Sequence, residues 1–256
     1  MPNPLEFKKA ILVYLPCYNC AGKIAQTISQ IPKELYDKIE CLVVDNFSTD
    51  STADEVEEEI KKNIHPFPIR LLRNQKNLGY AGSQKTAYAL ASQSSVVKHV
   101  VMLHGDGQYP PVLLSKLIAH IHDGYAVING YRSKKAYPDK EETPWFTYAV
   151  IKILNMFEGL LTGFWFKEWH SGFVVYDNEF LKQIPLKQLS DTMHIDAEFL
   201  MCAGVLDRKI LSVPIYKRYK EHEAFGGLAR LKYIADILKV ILRFKRKYYH
   251  RLLKVA

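Results

Sequence analysis

The alternation of short β-branched segments with amphipathic helical segments is the feature that most constrains the fold. Predicted strands cover Ala10–Pro16, Ile39–Asp45, Ile69–Arg73, His99–His104 and Ala126–Gly130. Predicted helices lie between them, at Ala21–Gln30, Ser51–Lys62, Gly79–Ser92 and Pro111–His122. This alternation is typical of α/β proteins, in which a mostly parallel central sheet carries helices on both faces.

The pattern changes after Pro138. The sequence there predicts an aromatic-rich helix at Trp145–Leu161, a strand at Gly172–Tyr176, a helix at Ile195–Gly204 and a strand at Lys209–Tyr216. At 256 residues the chain is long enough for one large domain. We therefore expect a single α/β domain over residues 1–225, followed by a basic amphipathic helix over residues 226–256.

The net charge of +8 is concentrated in this tail, where nine Lys and Arg residues face one acid, Asp236. Leu228, Leu231 and Leu238 recur at helical spacing between the basic residues. The pattern suits a helix lying in the interface of an anionic membrane, and a helix packed on the core with a solvated basic face is the open alternative. Nucleic acid is not expected as a partner, because no binding motif accompanies the basic residues.

Cysteine usage and hydropathy indicate a reducing compartment. The cysteines Cys17, Cys20, Cys41 and Cys202 show no spacing typical of a disulfide framework. No apolar run reaches the roughly 18–20 residues of a membrane span, and no signal peptide is recognisable. We expect a cytoplasmic protein, peripheral on the cytoplasmic face of a membrane if the tail binds lipid. Cys17 and Cys20 also have the spacing of a thiol redox site, but two small turn residues are the favoured explanation.

Polar residues follow three of the predicted strands. They form the segments Pro16–Asn19, Asp45–Asp50 and His104–Gln108. Ligands of open parallel sheets bind beyond the carboxyl ends of the strands. One such cluster alone is ordinary turn chemistry, whereas three on one edge of a sheet predict a ligand site.

The third cluster has the composition of a cation site. Asp106 and Gln108 offer a carboxylate and an amide oxygen, the hard ligands that Mg²⁺ and Mn²⁺ prefer. Glycines at 105 and 107 allow the backbone to approach a phosphate closely. The loop therefore predicts a divalent cation bound together with a diphosphate, although Asp-Gly is also common in turns.

Four motifs follow one another along the chain: P-x-Y-N, V-V-D-N-x-S-x-D-S, N-x-G-Y-x-G and G-D-G-Q-Y-P-P. Their order resembles glycosyltransferase family 2, especially the branch of dolichyl-phosphate mannose synthase and related polyprenyl-phosphate glycosyltransferases, and the resemblance runs from Ile11 to Tyr216. It implies a GT-A fold and inverting transfer of a sugar from a UDP- or GDP-sugar. The family's acidic loop usually opens with aspartate as D-x-D, whereas this chain has His104 there.

The strand ends and the resemblance together predict the site residues. The predicted donor-nucleotide contacts are Pro16, Tyr18, Asn19, Asp45, Asn46, Asn77, Gly79, Lys85, His104, Gly105 and Asp106. The predicted metal ligands are Asp106 and Gln108, and the predicted sugar or acceptor contacts are Arg132, Ser171, Gly172 and Arg218. Lys85 is placed here as a cationic contact to the leaving group, and a solvated helix lysine is the alternative.

The acceptor decides whether a general base is needed. A polyprenyl phosphate is already ionised and needs cations, whereas a glycan hydroxyl needs a carboxylate to take its proton. Asp196 and Glu198 are the candidates for that base, and Asp106 is catalytic through its cation. Residues two apart on a helix do not share a face, so at most one of the two acids should point into the site. A non-catalytic nucleotide-binding or membrane-adaptor protein remains the alternative from another class.

Overall fold

The computed structural model describes residues 6–219 and 227–255, except for the side chains of 227–230. Its strands are β1 Ile11–Cys17, β2 Ile39–Asp45, β3 Ile69–Arg73, β4 His99–Met102, β5 Val127–Arg132, β6 Val174–Asp177 and β7 Ile210–Ile215. They form one sheet in the order β3-β2-β1-β4-β6-β5-β7. Only β6 among these strands runs antiparallel to its neighbours, so the predicted mostly parallel α/β fold is confirmed.

Helices cover the sheet on both faces. They are α1 Ile24–Ser29, α2 Thr52–Lys62, α3 Gly79–Gln93, α4 Leu114–Ile118, α5 Trp145–Thr162, α6 Asn178–Gln183, α7 Ile195–Val205, α8 Gly227–Lys245 and α9 Tyr248–Leu252. Short 3₁₀ turns occur at Lys33–Leu35, Pro111–Leu113 and Leu186–Gln188. The strands and helices predicted from the sequence are therefore present, with shifted ends.

The core consists of two apolar layers separated by the sheet. In β1, Leu12 and Tyr14 enter the layer that also contains residues of α3 and α7, while Val13 and Leu15 enter the layer beneath α1 and α4. Successive side chains of a strand point to opposite faces, so a strand covered on both sides is apolar throughout. This explains why the central strands read as continuous apolar runs.

Local details differ from the predicted boundaries. The strands Ile39–Asp45 and Ile69–Arg73 match to the residue, but the helix predicted from Pro111 to His122 is a 3₁₀ turn followed by the short α4. Ser51, the predicted cap of α2, makes no side-chain capping bond. The carboxylate of Asp50 accepts the N–H of Thr52 at 3.0 Å instead, which satisfies one of the donors exposed at the helix start.

The basic tail packs on the core. Ile237, Val240 and Ile241 of α8 are buried, whereas Leu231 and Leu238 are exposed. The helix ends near Lys247, which has a left-handed backbone, and α9 follows. The predicted domain boundary at 225/226 and the side chain of Leu228 lie outside the described residues. No helix in the described part of the chain combines the length and apolarity needed to cross a membrane.

Candidate active site

The loops after β1 and β2 are joined by hydrogen bonds among their own polar side chains. Asn19, in the left-handed conformation, donates its backbone N–H to Ser48 Oγ at 3.0 Å and accepts that of Thr49 at 2.9 Å. Asp45 accepts the Ser48 N–H at 3.1 Å and lies 3.8 Å from Arg73 Nε. Tyr18 is half exposed beside them. The predicted donor residues of β1 and β2 therefore lie together at the edge of the sheet where these strands end.

Asn46 organises the third loop of this edge. Its amide nitrogen donates to Asn77 Oδ1 at 2.9 Å and to the Gly79 carbonyl at 3.2 Å, and its amide oxygen accepts from Asn74 and from the Leu78 N–H. Gly79 adopts a φ of +70°, which favours glycine. The structure thus brings Asn46, Asn77 and Gly79 together as predicted, and shows that the two asparagines shape the loop itself.

The loop that follows β4 crosses the end of β1. The Gly105 N–H donates to the Pro16 carbonyl at 3.1 Å, and a Cβ atom at Gly105 would collide with the sulfur of Cys17. This close approach brings Asp106 to the edge formed by the β1 and β2 loops. A side chain at position 105 would push the loop away, so the glycine is a packing requirement.

The donor set of this loop fits a divalent cation. Asp106 accepts the backbone N–H of Gln108 through one carboxylate oxygen at 2.9 Å, which fixes the carboxylate on a turn where Gly107 has a φ of +73°. A carboxylate and an amide oxygen on a rigid turn are ligands of the kind that Mg²⁺ and Mn²⁺ accept. The Arg218 N–H donates to the Gln108 carbonyl at 2.9 Å, so the exposed Arg218 lies beside the same loop.

His104, in the position of the expected aspartate, packs into the protein. Its Nε2 is buried without a hydrogen-bond partner, and burial lowers the pKa of the imidazole to about 4, so the ring is neutral. A Cβ atom at Gly172 would lie 2.5 Å from that Nε2 and 2.9 Å from Tyr80 Oη. His104 therefore supports the Ser171-Gly172 segment, and Asp106 is the carboxylate of the loop.

Asp196 and Glu198 point in different directions, as predicted from their spacing. Asp196 accepts hydrogen bonds from Tyr80 Oη at 2.7 Å and Gln84 Nε2 at 2.6 Å, and burial raises the pKa of its carboxyl to about 6. Because Tyr80 also lies against His104 and Gly172, Asp196 is one side chain away from the predicted sugar site.

Glu198 faces the opposite side of α7. It accepts from Arg243 Nη1 at 2.8 Å, from Tyr249 Oη at 2.7 Å and from the Ser190 N–H at 2.7 Å, and it is fully buried. These bonds connect α7 to α8 and α9. The geometry does not support the predicted catalytic role of Glu198. Its oxygens accept hydrogen bonds from residues on the side of α7 that faces α8 and α9.

Arg132 also departs from its predicted role as a direct phosphate contact. It is buried, and its Nε donates to Glu168 Oε1 at 2.6 Å while its backbone N–H donates to Glu168 Oε2 at 2.7 Å. Burial disfavours ionised Glu168, but the charge and hydrogen bonds of Arg132 outweigh it and hold the pKa of Glu168 below its usual value. Arg132 and Glu168 together fix the start of the Ser171-Gly172 segment, where the Gly172 N–H meets Tyr109 Oη at 3.3 Å.

Lys85 and the cysteines have ordinary structural surroundings. Lys85 Nζ lies 2.7 Å from the Leu189 carbonyl and 2.7 Å from Asp191 Oδ1, which does not support its predicted contact with the leaving group. All four cysteines are buried as free thiols. A hydrogen bond with Cys20, together with burial, raises the pKa of the Cys17 thiol well above its usual value, and the same hydrogen bond lowers the pKa of the Cys20 thiol.

Glu168, Tyr80 and Gln84 are the site residues that the sequence analysis missed. Glu168 had a recognisable signal, because it is a lone acid in an aromatic segment that leads directly into Ser171-Gly172. A buried carboxylate needs a cation, and Arg132 supplies it from a strand 36 residues earlier. Tyr80 stands in the N-x-G-Y-x-G motif but was given no role, and Gln84 carried no such signal, since polar residues one turn apart are common on helices.

The mostly parallel sheet, with polar loops after β1, β2 and β4, has the architecture of the GT-A fold. The family model for glycosyl transferase family 2 matches residues 12–179, more than half of the chain. The chain therefore belongs to glycosyl transferase family 2, as its motifs predicted, and it is a glycosyltransferase.

Relatives and solved structures agree with this assignment. An uncharacterised protein of Methanocaldococcus jannaschii is 24% identical over 91% of this chain and 98% of its own length. Dolichol-phosphate mannosyltransferase of Pyrococcus furiosus is 28% identical over 49% of this chain and 34% of that protein. Glucosyl-3-phosphoglycerate synthase of Mycobacterium tuberculosis, solved with Mn²⁺, UDP and phosphoglyceric acid, superimposes with a TM-score of 0.61 at 16% identity, covering 92% of this chain and 78% of that one.

Proposed function

We propose that this protein transfers a sugar from a UDP- or GDP-sugar to a polyprenyl phosphate at the cytoplasmic surface of a membrane. The donor would bind at the loops after β1, β2 and β4, with Mg²⁺ or Mn²⁺ held by Asp106 and Gln108. When bound, the cation acts as a Lewis acid that stabilises the departing diphosphate. The proposal does not specify which sugar is transferred or which nucleobase the donor carries.

Helix α5 buries polar side chains and exposes apolar ones. This observation supports an acceptor that is held in a membrane. The inward face of this helix contains Asn155, Glu158 and Thr162, all buried. Its outward face exposes Trp145, Phe146, Ile153, Met156, Phe157 and Leu160. Apolar surface of this extent is costly in water and marks an interaction site. A helix whose polar side is buried and whose apolar side faces outward suits contact with lipid.

Helix α8, which packs against α5, adds to the same kind of surface. Its residues Leu231, Ile234, Leu238 and Leu242 are exposed. A groove of about 460 Å³ between α8 and α9 is lined by Leu238 and Leu242 together with Lys239, Arg246 and Arg251. Apolar and basic side chains in one groove suit an anionic lipid surface, because the apolar groups enter the acyl boundary while the cations meet headgroups.

The acceptor phosphate needs cations near the cation loop. Arg218 is exposed, and its backbone is bonded to Gln108, so it is the basic residue we assign to the acceptor or the diphosphate. Lys217 lies over the rings of Tyr109 and Tyr219 at 5.2 and 5.1 Å, next to the Gly172 segment. An already ionised phosphate acceptor would need only such orientation. The sequence relationship to dolichol-phosphate mannosyltransferase supports this acceptor class.

A hydroxyl acceptor is the second candidate, and Asp196 favours it. A buried carboxyl with a pKa of about 6 is suited to take a proton near neutral pH. The bonds from Tyr80 and Gln84 hold its carboxylate in place. The two candidates differ in their dependence on this residue, because a phosphate acceptor has no proton to lose.

A transfer assay on vesicles tests the proposal. Radiolabelled UDP- and GDP-sugars are supplied with Mn²⁺ to wild type and Asp196→Asn, with polyprenyl phosphate in anionic vesicles or with free glycans. We expect label in the organic phase with one donor class, in both proteins. Transfer to glycans that is lost in Asp196→Asn would establish the hydroxyl acceptor instead, and transfer to neither acceptor would refute the proposed reaction.

A further inference from the structure

A second cluster of metal-ligating side chains lies behind the Ser171-Gly172 segment. It consists of Glu158 on α5, His170 in the loop before β6, His194 at the start of α7 and Tyr233 on α8, and is called here the histidine cluster. Within the described residues, Glu158, His170 and His194 are the group of three acids, histidines or cysteines close enough to share an ion. The cluster shares no residue with the cation loop of Asp106 and Gln108.

The four side chains form a closed ring of contacts. His194 Nε2 lies 2.8 Å from Glu158 Oε1, and His170 Nε2 lies 3.0 Å from Glu158 Oε2. The Nδ1 atoms of the two histidines lie 3.3 and 2.9 Å from the hydroxyl of Tyr233. Glu158 is fully buried, and His194 is 1% exposed. The ring is therefore closed to water on the side of the carboxylate.

The buried carboxylate of Glu158 needs a positive charge beside it. Glu158 Oε2 and His170 Nε2 are both buried and lie 3.0 Å apart, and neither has a hydrogen-bond partner. A proton on a histidine or a bound metal ion can supply the charge. One ligand atom from each of Glu158, His170 and His194 lies within 4.8 Å of the others, which is close enough for all three to bind one ion.

We infer that the histidine cluster binds a divalent transition-metal ion of the zinc type through Glu158, His170 and His194. Two imidazole nitrogens and one carboxylate oxygen are a ligand set for such ions, whereas Mg²⁺ and Ca²⁺ select oxygen ligands. Both Nε2 atoms then bind the ion through their lone pairs. Both Nδ1–H groups donate to the Tyr233 oxygen, so no contact lacks a hydrogen.

The ion would position parts of the catalytic cleft. His170 immediately precedes Ser171-Gly172, and His194 is two residues before Asp196. A shared ion would hold these two segments against α5. The contacts of Tyr233 with both histidines would connect α8 to the same group. Mutation of a residue that orients metal-binding histidines typically weakens metal affinity 10–100-fold. We assign this orienting role to the Tyr233 hydroxyl. The ion is thus a positioning element, independent of the donor's cation and of which acceptor is used.

Zinc binding by the full chain tests this inference. The purified protein is stripped with a chelator and titrated with Zn²⁺ alone, without nucleotide. We expect uptake of one ion per chain in wild type, in Asp106→Ala and in the control His120→Gln, whose exposed imidazole pairs with Asp123. Uptake should be lost in His170→Gln and His194→Gln and weakened roughly 10–100-fold in Tyr233→Phe, which keeps all three ligands.

The wild type decides the outcome even if a buried variant fails to fold. The X-ray absorption spectrum of the zinc-loaded protein should show two imidazoles in the coordination shell. No uptake by the stripped wild type would overturn the inference, and so would uptake that Asp106→Ala abolishes or a spectrum without imidazole. Because nucleotide is absent, these results are separate from the success or failure of the proposed transfer reaction.

Discussion

The two halves of the sheet, β1–β4 and β5–β7, are stabilised in different ways. In the donor half, formed by β1–β4 with α1–α3, the strand-end loops are held by hydrogen bonds between neighbouring loops, such as those of Asn19 and Asn46. In the acceptor half, formed by β5–β7 with α5, α7 and α8, buried carboxylates such as Glu168 and Glu198 are paired across long sequence separations.

The two long helices α3 and α5 show the same contrast. Helix α3 buries Ala81, Ala87 and Tyr88 against the sheet, as an ordinary surface helix does. Helix α5 buries Asn155 and Glu158 and exposes apolar side chains. The proposed contact of α5 with lipid rests on this difference.

The largest effect on stability is expected from Glu168→Gln. This change leaves the buried guanidinium of Arg132 without its counter-charge, and breaking a buried pair in this way costs about 3–5 kcal/mol. Urea unfolding followed by circular dichroism measures it. The control Glu57→Gln removes a surface acid whose pair with Lys61 spans 3.9 Å, and should change stability by less than about 1 kcal/mol. Equal effects of both changes would contradict the contrast between the halves.

A smaller loss of stability is expected from Asn46→Ala in the donor half. The Leu78 N–H and Gly79 carbonyl lose their partner, at a cost of about 1–3 kcal/mol. The loop that carries Asn77 should loosen and nucleotide affinity should fall. Asn74→Ala removes one of the four side-chain hydrogen bonds described above for Asn46 and serves as the graded comparison. Unchanged nucleotide affinity in Asn46→Ala would show that this loop does not shape the donor site.

The double change Trp145→Ser and Phe146→Ser should affect membrane binding and leave the fold stable. These side chains are 76% and 59% exposed, so the free energy of unfolding should change by about 0.5 kcal/mol or less. Flotation with anionic vesicles should show clearly weaker binding. Ile64→Ser, a 66% exposed residue of the donor half, is the matched control. If Ile64→Ser weakened flotation as much, α5 would have no special part in lipid contact.

The smallest effect on function is expected from Lys85→Met. Its ammonium group pairs with the exposed Asp191 and a carbonyl at Leu189, and such a pair is worth about 1 kcal/mol or less. Sugar-transfer rates should stay close to those of wild type. A drop of tenfold or more with unchanged stability would restore the contact with the leaving group that the sequence predicted for Lys85.

The donor half was largely predictable from the sequence because its signals are local. The strand Ile39–Asp45 is an apolar run interrupted at Glu40 and followed by polar turn residues, and its predicted ends were confirmed to the residue. The same holds for Ile69–Arg73. Motif order then identified the family, and the polar strand ends meet at one edge as expected for parallel strands.

The acceptor half was predicted less well because no motif marks which of its charged residues meet. Spacing alone could not show that Arg132 pairs with Glu168, or that Glu198 faces α8 while Asp196 faces α3. The antiparallel insertion of β6 between β4 and β5 was also not predicted, since its residues resemble those of any buried strand. The aromatic content of α5 was visible, but its inverted faces needed the structure.

The central claim is that the strand-end cleft binds a nucleoside diphosphate together with a divalent cation. Calorimetric titration with UDP and GDP, each with and without Mn²⁺, tests it most directly on wild type and Asp106→Ala. The account predicts cation-dependent binding of one nucleotide to wild type, and a loss in Asp106→Ala of at least tenfold, or about 1.4 kcal/mol. Binding of neither nucleotide under any condition, or equal binding by the variant, would contradict it.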